Sequence, residues 1–248
     1  MTAVVLFLHE RKQQPDRDQL TAVIVERSWN SLQVVVLLAT LFLLYLAAGF
    51  TGQFFYEEQI PFVRLIITLV IYGILMAEIG IVNAFHGSNW SESLGMGFSN
   101  LRKLLLAPVV YLAAIPLIIF SSKLYHLLLT LLFSTEPQLQ SVAEIVSRDI
   151  SWLEILYICT AIFAAPVYEE MMFRGVIFPY LLKRTNLVVA TTLVALLFAV
   201  IHFHTPSFVS LALLSAVLSL SYWRTGSLWV SIGVHMIFNA VTILALNI

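Results

Sequence analysis

The chain has 248 residues, 60% hydrophobic and 11% charged, with a mean hydropathy of +0.94 and a formal net charge of −1. Soluble domains carry roughly 25% charged residues, so the composition excludes an ordinary water-soluble globule and specifies an all-α, polytopic membrane protein. The near-neutral charge gives no footprint for nucleic acid, and the single cysteine, Cys159, excludes an internal disulfide.

Residues 3–8 are apolar but far short of the ~20 needed to span a bilayer, and no basic segment or small-residue cleavage site frames them as a signal peptide. Residues 9–30 are polar, so residues 1–30 read as an extramembrane N-terminal arm. Seven apolar segments follow, at 32–55, 62–85, 104–120, 152–182, 187–203, 208–223 and 228–246. The third can continue as a helix through 125–133. The longest connection after the first span is 134–151, with Pro137 and mixed charges. Trp90, Trp152, Trp223 and Trp229 sit near span ends, as an aromatic belt requires. With seven spans, Arg11, Lys12, Arg17, Arg27, Arg102, Lys103, Lys183, Arg184 and Arg224 share one side, against Lys123 and Arg148 opposite. The positive-inside rule then places the N-terminus in the cytoplasm and the C-terminus across the membrane.

The fourth segment carries Glu169, Glu170 and Arg174 in an otherwise apolar run. A charge at the bilayer centre costs ~2.5–3.5 kcal/mol on insertion scales, so three within six positions need a purpose. On a helix Glu170 and Arg174 are i,i+4 neighbours placed for an ion pair, whereas Glu169 is rotated ~100° from Glu170. One carboxylate is therefore free for chemistry while arginine holds the other. The fifth segment places Phe198 and His202 at i,i+4, and the seventh places His235 and Asn239 likewise. An imidazole and an amide on one helical face can donate to a developing oxyanion.

Depth relates these groups. Glu169 lies sixteen residues before the turn at Thr185 and His202 seventeen after it. At ~1.5 Å per residue both sit ~25 Å up adjacent helices, and Asn239, thirteen residues beyond Gly226, sits ~20 Å up a third. Pro166, Gly175 and Pro179 bracket the carboxylates and can open the backbone there. A carboxylate facing an imidazole in a dry cavity can take a proton from water. Glu169 and His202, with His235 as a third ligand, could instead hold a divalent metal such as zinc that acidifies the water. Both mechanisms fit the residues.

Glu-Glu-x-x-x-Arg, Phe-x-x-x-His and His-x-x-x-Asn, in that order on successive late helices, resemble the CPBP family, the CAAX prenyl endopeptidases and bacteriocin-processing or immunity proteins also called Abi. The resemblance implies an all-helical intramembrane endopeptidase with its catalytic core in residues 151–248. It implies that Glu169 and His202 activate water or bind metal, that His235 and Asn239 stabilise the oxyanion, and that Glu170, Arg174 and Phe198 support them. Residues 31–150 carry no matching motif. The partners it implies are the bilayer and a membrane-associated substrate, prenylated or a leader peptide.

Absences narrow the chemistry. No His-Glu-x-x-His occurs, Asp16, Asp18 and Asp149 all lie outside the apolar segments, and no Gly-x-Ser-Gly is present. Zincin-like, aspartyl-dyad and rhomboid-like proteases are thereby disfavoured. Glu78, in the second segment, is a further intramembrane carboxylate that either lines the site or pairs with another helix. His204 reads as a helix-end residue, His9, His86 and His126 as interfacial, and Ser215, Ser219 and Ser221 as packing residues. The alternatives to a protease are a non-catalytic membrane scaffold or immunity-type protein and, third, a transporter with a buried proton relay.

Overall fold

Capping residues and prolines divide the apolar sequence into helices. The computed structural model describes residues 17–27, 29–51, 60–85, 89, 93–133 and 152–245, and all regular structure among them is helical. The expectations for His9, His86, Trp90, Arg148 and the 134–151 connection lie outside the described residues. The helices are α1 (Arg17–Glu26), α2 (Ser31–Thr51), α3 (Ile60–Phe85), α4 (Ala107–Phe133), α5 (Trp152–Arg184), α6 (Leu187–Ile201), α7 (Phe208–Thr225) and α8 (Leu228–Ala245). A short turn, Phe98–Leu101, and a 3-10 segment, Arg102–Leu106, lead into α4.

Among the described residues, six helices are long and apolar enough to cross a membrane. The fifth apolar segment, α6, is shorter: its 15 residues rise only ~22 Å. Asn186 starts it by accepting the Val189 N–H at 3.0 Å, the usual side-chain solution for an orphan helix-terminal donor. It ends at His202, where Phe203 takes a left-handed φ of 47°, and a 3-10 turn at Thr205–Ser207 leads into α7. His202 is therefore the C-cap of α6 rather than a residue inside a longer span. The third segment does continue, as α4 to Phe133.

Helix α5 holds two π-helical segments, Thr160–Ala164 and Met171–Ile177, and a proline follows each. In both places the last donor reaches back five residues, Ala165 N–H to Thr160 O and Phe178 N–H to Phe173 O. A proline ring clashes with the carbonyl four residues back and brings no N–H; widening the turn relieves the clash without breaking the helix. The six residues Ala165–Glu170, between the two wide segments, carry both carboxylates.

The core forms where α5, α6, α7 and α8 meet, around Phe173, Phe178, Val194, Phe198, Tyr222 and Ile232. A second cluster joins Ala107, Tyr111 and Ile118 of α4 to Leu214 and Leu218 of α7 and Val234 of α8. Lipid is as apolar as leucine, so close packing and polar contacts rather than water exclusion hold these helices together. Gly233 shows this: a Cβ there would lie 2.8 Å from the Ala107 Cβ. By contrast α2 is 11% buried and presents Phe42, Leu43 and Leu46 outward.

Part of the N-terminal arm belongs to this core. Ile24 and Trp29 are buried, and Trp223 donates to Thr21 at 3.1 Å. Arg27 donates to the Tyr222 hydroxyl at 3.1 Å and to the Gly226 carbonyl at 2.9 Å, while Lys103 donates to the Thr225 carbonyl at 2.6 Å. Both cations thus satisfy orphan carbonyls at the C-terminus of α7, where the helix dipole also favours them. Arg184 reaches Ser31 at 3.1 Å, so Arg27, Lys103, Arg184 and Arg224 collect at one end of the bundle.

Candidate active site

Glu169 and Glu170 are adjacent but sit in different surroundings. Glu170 is fully buried, and its Oε1 accepts from Arg174 Nη1 at 2.8 Å and from His235 Nδ1 at 2.9 Å. A second guanidinium nitrogen, Nη2, donates to the Ser215 carbonyl at 2.8 Å and to its hydroxyl at 2.6 Å. One network therefore ties α5 to α7 through Arg174 and to α8 through Glu170. This pairing offsets part of the cost of burying the two charges, while Glu170 Oε2 and Arg174 Nε find no hydrogen-bond partner among the described residues.

Glu169 is 15% exposed and accepts no hydrogen bond from a described residue. Its Oε2 lies 3.8 Å from His235 Nε2. That gap is too long for a direct hydrogen bond. The sequence pairs Glu169 with His202; the imidazole lying against Glu169 is that of His235. No hydrogen bond or ion pair joins His202 to Glu169 among the described residues.

His202 is held by its own helix. Its Nδ1 donates to the Phe198 carbonyl at 2.6 Å, and its ring lies 4.6 Å from that of Phe198. Phe198 is fully buried and also faces His235 at 5.7 Å, Phe173 at 5.1 Å and the Arg174 guanidinium at 5.1 Å. This ring is the common wall of both histidines. Each histidine donates its Nδ1–H to a fixed acceptor, so each ring keeps its Nε2 for other contacts.

Asn239 answers a backbone need created by Pro166. The Ala165 N–H bonds Thr160 O, so the next residue would supply the Ala161 carbonyl, but Pro166 has no N–H. Asn239 Nδ2 donates to that carbonyl at 2.8 Å, which leaves the second amide hydrogen for another acceptor.

Glu169, Glu170, Arg174, Phe198 and His235 are thus joined by direct contacts, His202 joins through Phe198, and Asn239 lies one helical turn from His235. For a metal, the two bare Nε2 atoms and the Glu169 carboxylate are suitable donors. Their placement does not fit: among the described residues no three of His, Cys, Asp or Glu converge as a ligand set. Glu78 takes a hydrogen bond from Thr40 of α2. His204 accepts from the Ser207 N–H and caps the 3-10 turn, and His126 donates to the Pro206 carbonyl at 2.9 Å. Ser215 is the residue that sequence reasoning assigned to packing alone; its only signal was a hydroxyl in an apolar helix.

No curated protein and no solved structure matches this chain. Residues 151–241 match the family described as Rce1-like, "Type II CAAX prenyl endopeptidase Rce1-like". That stretch runs from the start of α5 to α8 and holds all seven residues of the three motifs. The last four helices of this multi-pass membrane protein are thus similar to the Rce1-like CAAX prenyl endopeptidase family.

Proposed function

We propose that the protein is an intramembrane endopeptidase that hydrolyses a peptide bond near the end of a prenylated, membrane-anchored substrate, with Glu169 as the base. The observation that carries this reading is the difference between the adjacent carboxylates: Glu170 is fully buried and bonded through Oε1 to Arg174 and His235, while Glu169 is 15% exposed and accepts no hydrogen bond from a described residue, with its Oε2 3.8 Å from His235 Nε2. Glu169 takes a proton from water, and the resulting hydroxide adds to the scissile carbonyl. His202, oriented by the Phe198 carbonyl, offers Nε2 to the same water. The tetrahedral oxyanion accepts from His235, when both its nitrogens are protonated, and from the second amide hydrogen of Asn239. Collapse breaks the C–N bond as Glu169 returns its proton to the departing amine.

Collection of Arg27, Lys103, Arg184 and Arg224 at one end supports an orientation with that end, and the N-terminus, in the cytoplasm. The functional test is cleavage, by the purified protein in liposomes, of a farnesylated peptide ending in Cys-aliphatic-aliphatic-X beside its unprenylated twin. Loss of the last three residues from the farnesylated peptide, and a decrease of about a hundredfold or more in His202→Ala, is the expected result. Equal products from both peptides would redirect the reading to a leader-peptide substrate, and no cleavage of either to a scaffold. A chelator arm in which activity falls and zinc restores it would assign Glu169, His202 and His235 to a metal.

A further inference from the structure

Packing is unevenly divided about the site. Every residue of Met171–Ile177, on the side of Glu169 toward the cationic end, is buried. With Phe178, Val194, Tyr222, Leu228 and Ile232 they fill the bundle between the carboxylates and the contacts of Arg27, Lys103 and Arg184. A core packed in this way admits no peptide. Beyond the site the packing thins: among the described residues, α5 buries nothing before Pro166, α4 nothing after Ile118, and α8 only Ile243 after His235. The depth of the site follows from the helices beside the α6–α7 hairpin. Helix α6 rises only ~22 Å from the cationic end before it stops at His202, which is half-buried. The hairpin tip is tied to α4 by His126, which donates to the Pro206 carbonyl at 2.9 Å. Helix α4 then runs on to Phe133, a further ~10 Å, and turns Leu127, Leu128, Leu131 and Leu132 outward. At that far end Phe62 of α3 meets Trp152 of α5, with ring centroids 6.3 Å apart. Leucines turned outward on a spanning helix face lipid, and the two lengths together match the ~30 Å hydrocarbon core. His202 therefore lies ~10 Å beneath the surface remote from the cations.

We propose that the site is entered from the membrane face opposite Arg27, Lys103, Arg184 and Arg224, and that the scissile bond is delivered by a polypeptide that has already crossed the bilayer. Among the described residues, the cations toward that face are Arg64 and Lys123. In the orientation that the basic residues favour, it is the extracytoplasmic face. The substrate's anchor, prenyl chain included, then lies in the outer leaflet. A reaction that moves the substrate across the membrane must come before this cleavage. A substrate still in the cytoplasm meets the packed core around Phe178 and Tyr222 instead. The inference rests on the reading of Glu169 and His202 as reacting groups, and adds to it the side from which they are reached.

The test uses sealed right-side-out and inverted membrane vesicles holding the chain with its single cysteine removed by Cys159→Ala. His202→Cys and, separately, Arg224→Cys are added to that background and treated with a charged, membrane-impermeant maleimide. The background protein, with His202 in place, receives a farnesylated peptide whose charged residues keep it in the leaflet to which it is added. His202→Cys is expected to be modified, and the peptide cleaved, in right-side-out vesicles, and in inverted ones only after detergent. Arg224→Cys is expected to show the reverse. Modification of His202→Cys or cleavage of the peptide in sealed inverted vesicles, modification of both variants from one side, or modification of His202→Cys from neither overturns the proposal. Modification of His202→Cys from the outer side, by a chain that cleaves nothing even in detergent, upholds the side of entry and overturns the endopeptidase reading instead.

Discussion

Adjacent glutamates differ here because an arginine and a histidine donate hydrogen bonds to only one of them. Removing the Glu170 charge leaves Arg174 buried and unpaired, so Glu170→Gln and Arg174→Ala are each expected to cost about 3–5 kcal/mol, read as a lowered denaturation midpoint in detergent. Glu169→Gln removes no hydrogen bond and is expected to leave stability within about 0.5 kcal/mol. Comparable losses in both glutamate variants would contradict the division. Much of this was legible in the sequence. The i,i+4 spacing named Glu170 as the partner of Arg174, and the three motifs named His202, His235 and Asn239. The identity of the imidazole beside Glu169 was not legible, because 66 residues separate Glu169 from His235 in the chain and only helix packing decides which ring arrives.

At the scale of the element, α5 is widened rather than broken, and its prolines cause this. Pro166→Ala returns a donor to the Ala161 carbonyl, where it competes with Asn239, and lets the segment tighten to α-helical register. Losing one extra residue rotates the carboxylates by ~100° relative to the preceding turns. The expected outcome is an activity decrease of about tenfold or more in a protein at least as stable, since proline inside a helix costs ~3 kcal/mol. Wild-type turnover in that variant would remove the wide segment from the account. Gly175 has a different reason to be small: a Cβ there would lie 2.6 Å from Leu94 Cδ2. Gly175→Ala is expected to destabilise by about 1–3 kcal/mol, with recovery when Leu94 is also shortened to Ala. The sequence marked both prolines and Gly175 as disturbances of the helix. It carried no sign that Leu94, eighty-one residues earlier, sets the limit at Gly175.

For the whole molecule, hydropathy alone gave the helical class and the number of apolar segments, because each span must satisfy its own backbone. It did not give the docking of the arm, whose residues look polar in sequence. Ile24 and Trp29 are buried, and Arg27 caps α7 from more than 190 residues away. Arg27→Ala is expected to lower the melting temperature by a few degrees, corresponding to about 1–2 kcal/mol for the lost charged hydrogen bonds, and to expose α1 to limited proteolysis. The same end, with Lys103 and Arg224, is expected to label from the cytoplasmic side when single cysteines are introduced nearby. The claim that unites site and bundle is that Glu169 performs hydrolysis while its neighbours hold the fold. Its most direct test is mass spectrometry of the farnesylated peptide after incubation with liposomes holding wild type or Glu169→Gln, at matched melting temperatures. The account predicts a tripeptide product from wild type and none from the variant. The same product at the same rate from Glu169→Gln would contradict it.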